Sequence, residues 1–152
     1  MKSTCTGISA ALLAGLMFFA TGIASAGEGQ CLIIHVPQED PKAFKQAINI
    51  ANNLPKQLGA DAVRVEIVAQ GPGLKLLTKG SPETERIKSL AAMGDQTMGG
   101  GTTFSACAAT MAGIKKKTGN EPELIEGVGV TSPGAVARIL ELDKEGCTYI
   151  RI

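Results

Sequence analysis

The chain has 152 residues, with 15 Lys and Arg against 14 Asp and Glu, a formal net charge of +1, a single His and no Trp. A balance this even argues against nucleic acid or an anionic membrane surface as a partner, because both are bound through clustered positive charge. Aromatic residues make up 3% of the chain, so stacking platforms for bases or sugars are poorly supplied as well.

In chain order, the first segment reads as an export signal. Lys2 gives a positive start, residues 8–20 are apolar, and Ala24-Ser25-Ala26 places small residues where a signal peptidase reads. The expected cut follows Ala26, which makes the protein periplasmic or secreted, with no membrane association after cleavage. An uncleaved anchor is the alternative, since the apolar stretch approaches spanning length. No basic stop-transfer cluster follows it, and cleavage is therefore preferred. Residues 27–152 remain as one domain, long enough for a sizeable core.

Residues 31–36 (CLIIHV) form a short apolar run that predicts a buried strand. Asp40 and Pro41 then offer an N-cap and a first-turn proline. Phe44, Ala47, Ile48, Ala51 and Leu58 recur at helical spacing behind them. Pro55 should kink or shorten this helix, and Gly59 should end it. Residues 62–69 (AVRVEIVA) alternate, predicting a second strand whose Arg64 and Glu66 side is less buried. Gln70-Gly71-Pro72-Gly73 reads as a tight irregular loop.

Ser81-Pro82 is expected to cap a second helix in which Ile87, Leu90 and Ala91 share a face. Gly99-Gly100-Gly101 reads as a loop, and residues 102–106 (TTFSA) as a third strand that flows into Cys107 and a third helix. Lys115, Lys116 and Lys117 suit that helix's carboxyl end. Residues 124–131 predict a fourth strand, weakened by Gly127 and Gly129. Ser132-Pro133 should cap a fourth helix with Val136, Ile139 and Leu140 on one face, and residues 147–152 give a last strand. Helices between strands require crossover connections. The predicted fold is α/β, a three-layer α/β/α sandwich with a mainly parallel five-stranded sheet.

Ligands and reactive groups in such sheets gather beyond the carboxyl ends of the strands. His35, the Gly71-Pro72-Gly73 loop and Cys107 all fall on that edge. A thiol in the first turn of a helix faces unpaired N–H groups and the positive end of the helix dipole, both of which stabilise the nucleophilic thiolate. Cys107 is therefore the candidate catalytic residue, and its small neighbours Ser105, Ala106, Ala108 and Ala109 should leave the sulfur approachable. The bland alternative is a buried, inert cysteine. Gly71, Pro72, Gly73 and His35 are the expected pocket-lining residues, with His35 a hydrogen-bonded cleft residue rather than a base. Met93, Met98 and Met111 could join Cys107 in a soft copper site, although such methionines usually serve packing. No metal site is assigned.

Three cysteines follow the leader, Cys31, Cys107 and Cys147. An odd count fits either one disulfide with one free thiol or three separate thiols. Cys31 and Cys147 each open a strand. If the first and last strands are neighbours in register, the two Cα atoms would lie about 5 Å apart, within disulfide reach.

Three stretches in order carry a resemblance. Val68-Ala69-Gln70-Gly71-Pro72-Gly73-Leu74, the segment Phe104-Ser105-Ala106-Cys107-Ala108-Ala109-Thr110-Met111, and Pro133-Gly134-Ala135-Val136-Ala137-Arg138 with Tyr149-Ile150-Arg151 resemble the DsrE/DsrF-like (DsrEFH) sulfur-relay family. The resemblance implies a domain that assembles into homotrimers or homohexamers. It also implies a cysteine near the carboxyl edge of the sheet that accepts sulfane sulfur as a persulfide and passes it on. Partners would be sulfur donor or acceptor proteins, including TusA-like carriers, and no cofactor is implied. Cys107 matches the family's cysteine, and Gly71-Pro72-Gly73 the wall beside it. Two features depart from the pattern: Ala109 stands where relatives commonly carry Asn, and the loop before the third strand is lengthened by Gly99-Gly100-Gly101. The expected function is a periplasmic persulfide carrier of sulfurtransferase type. The alternative is a non-catalytic oligomeric module that holds a small ligand or metal near Cys107.

Overall fold

The computed structural model describes residues 29–96 and 100–152. The expected export signal, Met98 and Gly99 lie outside the described residues. Five strands form one sheet: β1 (Gln30–Val36), β2 (Val63–Ala69), β3 (Gly101–Cys107), β4 (Gly129–Thr131) and β5 (Thr148–Arg151). The order is β4-β3-β2-β1-β5, and every pairing is parallel. Four α-helices connect them: α1 (Pro41–Leu58), α2 (Thr84–Gly94), α3 (Ala108–Thr118) and α4 (Ala135–Lys144). The expected α/β architecture is observed. None of the described helices is long and apolar enough to cross a membrane.

The path explains an unequal sandwich. From β1 to β4 the chain steps one strand at a time in one direction, so right-handed crossovers put α1, α2 and α3 on the same face. Their buried residues, among them Phe44, Ile48, Ile87, Leu90 and Met111, share one core with Ile34, Val36, Val65, Ile67 and Phe104. The connection from β4 to β5 returns across the whole sheet, and among the described helices α4 alone covers the other face. A smaller core forms there from Ile33, Val68, Cys107, Ala135, Leu142 and Cys147.

Several local expectations change. Pro55 lies inside α1, which runs on to Leu58. Proline cannot donate to the carbonyl four residues earlier, Ala51. The Thr102 hydroxyl reaches that carbonyl from β3 at 3.3 Å and supplies the missing donor. The presumed irregular loop after β2 is a 3-10 helix, Gly71–Leu77. Its glycine at 73 is required by contact: a Cβ there would sit 2.1 Å from the Val36 carbonyl oxygen. α2 begins at Thr84 rather than at Ser81-Pro82, although the Ser81 Oγ still accepts from the Glu83 N–H. β3 is longer than expected and includes both Gly101 and Cys107. Of the expected fourth strand, residues 129–131 form ladder pairs, while Leu124 makes an isolated antiparallel bridge to Thr78.

The largest correction concerns α4. Val136, Ile139 and Leu140 read as one apolar face, yet Val136 and Leu140 are 59% and 56% exposed. The helix instead turns Ala135 and Leu142 inward. Glu66, expected on a less buried side of β2, is 3% exposed. One interaction accounts for both. Arg138 grips the Glu66 carboxylate with two hydrogen bonds, Nε to Oε1 at 2.9 Å and Nη2 to Oε2 at 2.8 Å, and the Ser105 hydroxyl donates to Oε1 at 2.6 Å. A buried carboxylate must be paired, and that need fixes the rotation of α4.

Candidate functional site at the end of β3

In this topology the carboxyl-end loops of β3 and β4 leave in opposite directions, one to α3 on the crowded face and one to α4 on the other. That divergence between adjacent strands is the switch point at which open parallel sheets form their crevices. Cys107 closes β3 and is the N-cap of α3. Thr131 is its register partner on β4. The Ser132-Pro133 peptide is cis, and with Gly134 it carries the chain from Thr131 to the first residue of α4.

Two helix starts therefore converge on one sulfur. The Ala135 N–H, at the beginning of α4, donates to Cys107 Sγ at 3.3 Å. The sulfur also sits at the start of α3 as its N-cap, where the Thr110 hydroxyl and the N–H groups of the first turn favour its thiolate form. Burial is the largest single influence on the thiol and raises its pKa. The Thr110 side chain, then Ala135, Thr110 and Ala109 through their backbones, oppose it, and the net effect holds the thiol below its ordinary value.

Access differs from the sequence expectation. Cys107 is 4% exposed, so its small neighbours do not open it to solvent. The turn before α4 sits over the sulfur: a Cβ on Gly134 would lie 3.4 Å from Sγ and 3.5 Å from the Ala109 Cβ. Beside the turn, Glu66, Thr103, Ser105, Thr131, Ser132 and Arg138 line a groove of about 450 Å³. Within that group the Thr131 Oγ1 is buried without a hydrogen-bond partner among the described residues.

The other expected pocket residues divide between the two faces. The Gly71 N–H donates to Thr110 Oγ1 at 2.9 Å, which ties the 3-10 helix to the first turn of α3. Gly71 and Pro72 border a groove of about 300 Å³ with Glu39, Lys75 and Ile114. His35 does not join them. Its neighbours in alternation, Ile34 and Val36, belong to the larger core, so its ring emerges on the face of α4. There Nδ1 lies 2.7 Å from the Tyr149 hydroxyl, and Nε2 is buried without a partner among the described residues. Burial, then the nearby Arg151 charge, lowers its pKa and favours the neutral ring.

Met111 is buried in the larger core, whereas Met93 is exposed beside Gly101, at the opposite end of β3 from Cys107. The soft-ligand grouping of these methionines with Cys107 is not assembled. The described residues contain no cluster of three or more His, Cys, Asp or Glu suited to a metal ion.

A disulfide joins Cys31 to Cys147, with Cα atoms 4.5 Å apart, and Cys107 is the free cysteine among the described residues. Thr110, Ser132, Gly134 and the Ala135 N–H were not identified as site elements from sequence. A threonine three residues after a capping cysteine is a usable signal for the first. The rest come from a connection more than twenty residues downstream and need the fold.

No protein-family model matches the chain, and no curated protein matches it significantly. Among solved structures the fold is similar to that of MTH1491, a protein of unknown function from Methanobacterium thermoautotrophicum. The TM-score is 0.67 and the identity 27%, over 81% of this chain and 99% of that one. The likeness thus takes in nearly all of MTH1491 and supports a shared α/β architecture.

Proposed function

We propose that the protein is an exported sulfur-trafficking protein of the DsrE/DsrF-like relay type, in which Cys107 carries a persulfide. The observation that carries this reading is that one sulfur, the N-cap of α3, also accepts the Ala135 N–H at the start of α4, so two helix starts meet at it. Donors so placed stabilise the thiolate, and they also suit a persulfide anion. Loading begins when the Cys107 thiolate attacks the outer sulfur of a sulfane donor, R–S–S⁻. The Cys107–sulfur bond forms as the donor's S–S bond breaks, and RS⁻ departs with the electron pair. Unloading reverses the roles: a partner thiolate takes the outer sulfur, and Cys107 leaves as thiolate. The exchange involves no net oxidation and needs no metal or organic cofactor. A TusA-like carrier is the class of acceptor that the resemblance suggests.

The burial of Cys107 requires the turn over it to open during transfer. Burial also favours a second reading, an inert packing cysteine. One experiment separates the two. Purified protein is incubated with polysulfide, and intact masses are compared for wild type and Cys107→Ser. The expected result is a gain of one sulfur atom in wild type alone, reversed by a small thiol. An unmodified Cys107, under conditions that load a known carrier, overturns the relay reading.

A further inference from the structure

A second sulfur centre lies at the amino end of the sheet. Cys31 faces Arg64 in the β1–β2 register, and Arg64 extends Nη2 to both sulfurs of the disulfide, 3.3 Å from Cys31 Sγ and 3.4 Å from Cys147 Sγ. The same guanidinium pairs with the Glu145 carboxylate. A disulfide sulfur is neutral and a weak acceptor, so a cation gains little from it. Once the bond opens and one sulfur becomes a thiolate, the same contact is a charge-assisted hydrogen bond.

The two ends of the disulfide are not equivalent. Cys31 is half-buried and borders a groove of about 530 Å³ with Gly29, Gln30 and Glu145. Cys147 is 5% exposed, and its N–H is bonded to the Leu142 carbonyl at the end of α4. An incoming thiolate meets Cys31 first, which makes Cys147 the leaving sulfur. The carboxyl end of α4 and the Glu145 carboxylate both disfavour negative charge at Cys147. Arg64 offsets them from the same distance at which it already touches the sulfur.

We propose that Cys31–Cys147 is a thiol–disulfide exchange site that a dithiol reductant opens in the folded protein, with Arg64 as the positioning residue that stabilises the departing thiolate. A thiolate of the reductant attacks Cys31 Sγ. A mixed disulfide forms as the Cys31–Cys147 bond breaks, and the electron pair leaves on Cys147. The reductant's second thiolate then attacks its own sulfur in the mixed disulfide and releases Cys31. The reductant becomes a disulfide, and the protein gains two electrons and two protons. This centre is separate from Cys107. Gly101 shares the row of Arg64, and Cys107 lies six residues further along β3, about 20 Å away at the rise of a strand. Exchange between the two centres within one chain is therefore excluded.

The test uses the full chain with intact disulfide, dithiothreitol as reductant, and native buffer with circular dichroism as the check on folding. Free thiols are trapped by alkylation at timed intervals and assigned by peptide mapping to Cys31 and Cys147. Wild type should open while folded, and Arg64→Gln should open about three- to tenfold more slowly. A substitution that merely loosened the structure would accelerate reduction, so the direction of the change discriminates. Glu145→Gln, which frees Arg64 from its competing carboxylate, should open faster than wild type. Reduction of Arg64→Gln at or above the wild-type rate overturns the proposal. If Arg64→Gln does not fold, a Glu145→Gln rate at or below that of wild type overturns it instead.

Discussion

Cys107 was legible in the sequence because a cysteine between a β run and a helical run has a predictable electrostatic setting. Its burial was not legible, since Pro133-Gly134-Ala135, the segment that covers it, is remote in the chain and arrives only through the return of α4. Thr110 is the residue whose role can be tested most cleanly. Its hydroxyl accepts from the Gly71 N–H and is the largest influence favouring the Cys107 thiolate. Thr110→Val keeps the shape and removes the hydroxyl. The thiol pKa should then rise, because the largest influence lowering it is gone. In alkylation rates followed against pH, the midpoint should move to higher pH in Thr110→Val than in wild type. The sign also governs stability. The thiol's folded pKa lies below its ordinary value of 9.0, so its contribution is fully present above that value and is lost as pH falls through the folded pKa. An unmoved midpoint would mean that Thr110 only braces Gly71.

At the scale of elements, β1, β2 and β3 were readable because buried parallel strands are apolar or β-branched nearly throughout. β4 was overextended because its few ladder residues sit in a glycine-rich edge segment, where pairing with β3 rather than composition sets the limits. The rotation of α4 is not legible in the sequence for a different reason. Apolar periodicity proposes a face, but a buried charge on another element can overrule it. The Glu66–Arg138 pair makes a quantitative prediction. Arg138→Leu strands the Glu66 carboxylate in the smaller core and should cost about 3 kcal/mol of unfolding free energy. That is the low end for a buried pair, because the Arg138 side chain is 30% exposed. The double variant Glu66→Leu, Arg138→Leu should recover most of the loss, since no unpaired charge remains. Urea denaturation of the three proteins measures both values, and a double variant as unstable as the single one would contradict this account of α4.

Among the described residues, three helices on one face of the sheet and one on the other leave apolar side chains exposed. Val136 and Leu140 of α4 are exposed one turn apart, and Tyr149 and Val130 are exposed as well. Apolar surface of this kind is a place where copies could meet, and the homotrimer or homohexamer that the resemblance implies is an expectation to be tested there. Light scattering after gel filtration should give a trimer or hexamer for wild type. Val136→Glu combined with Leu140→Glu should give a monomer whose circular dichroism is unchanged. A monomeric wild type would overturn this expectation. The sequence suggested an oligomer through its resemblance but could not locate the surface, because Val136 and Leu140 look like core residues until Arg138 is seen to face inward.

The place of β5 has a consequence for the order in which the fold can be completed. It is the last strand in the chain, yet it pairs with the first, through four register partners from Leu32–Thr148 to His35–Arg151. During synthesis, one side of β1 must wait for the rest of the domain before its hydrogen bonds are made. Cys31 waits with it, separated by 116 positions from the cysteine that will join it. A chain stalled or clipped before Cys147 would keep an unpaired thiol near its amino end. That thiol would distinguish unfinished molecules from finished ones in any compartment able to read it.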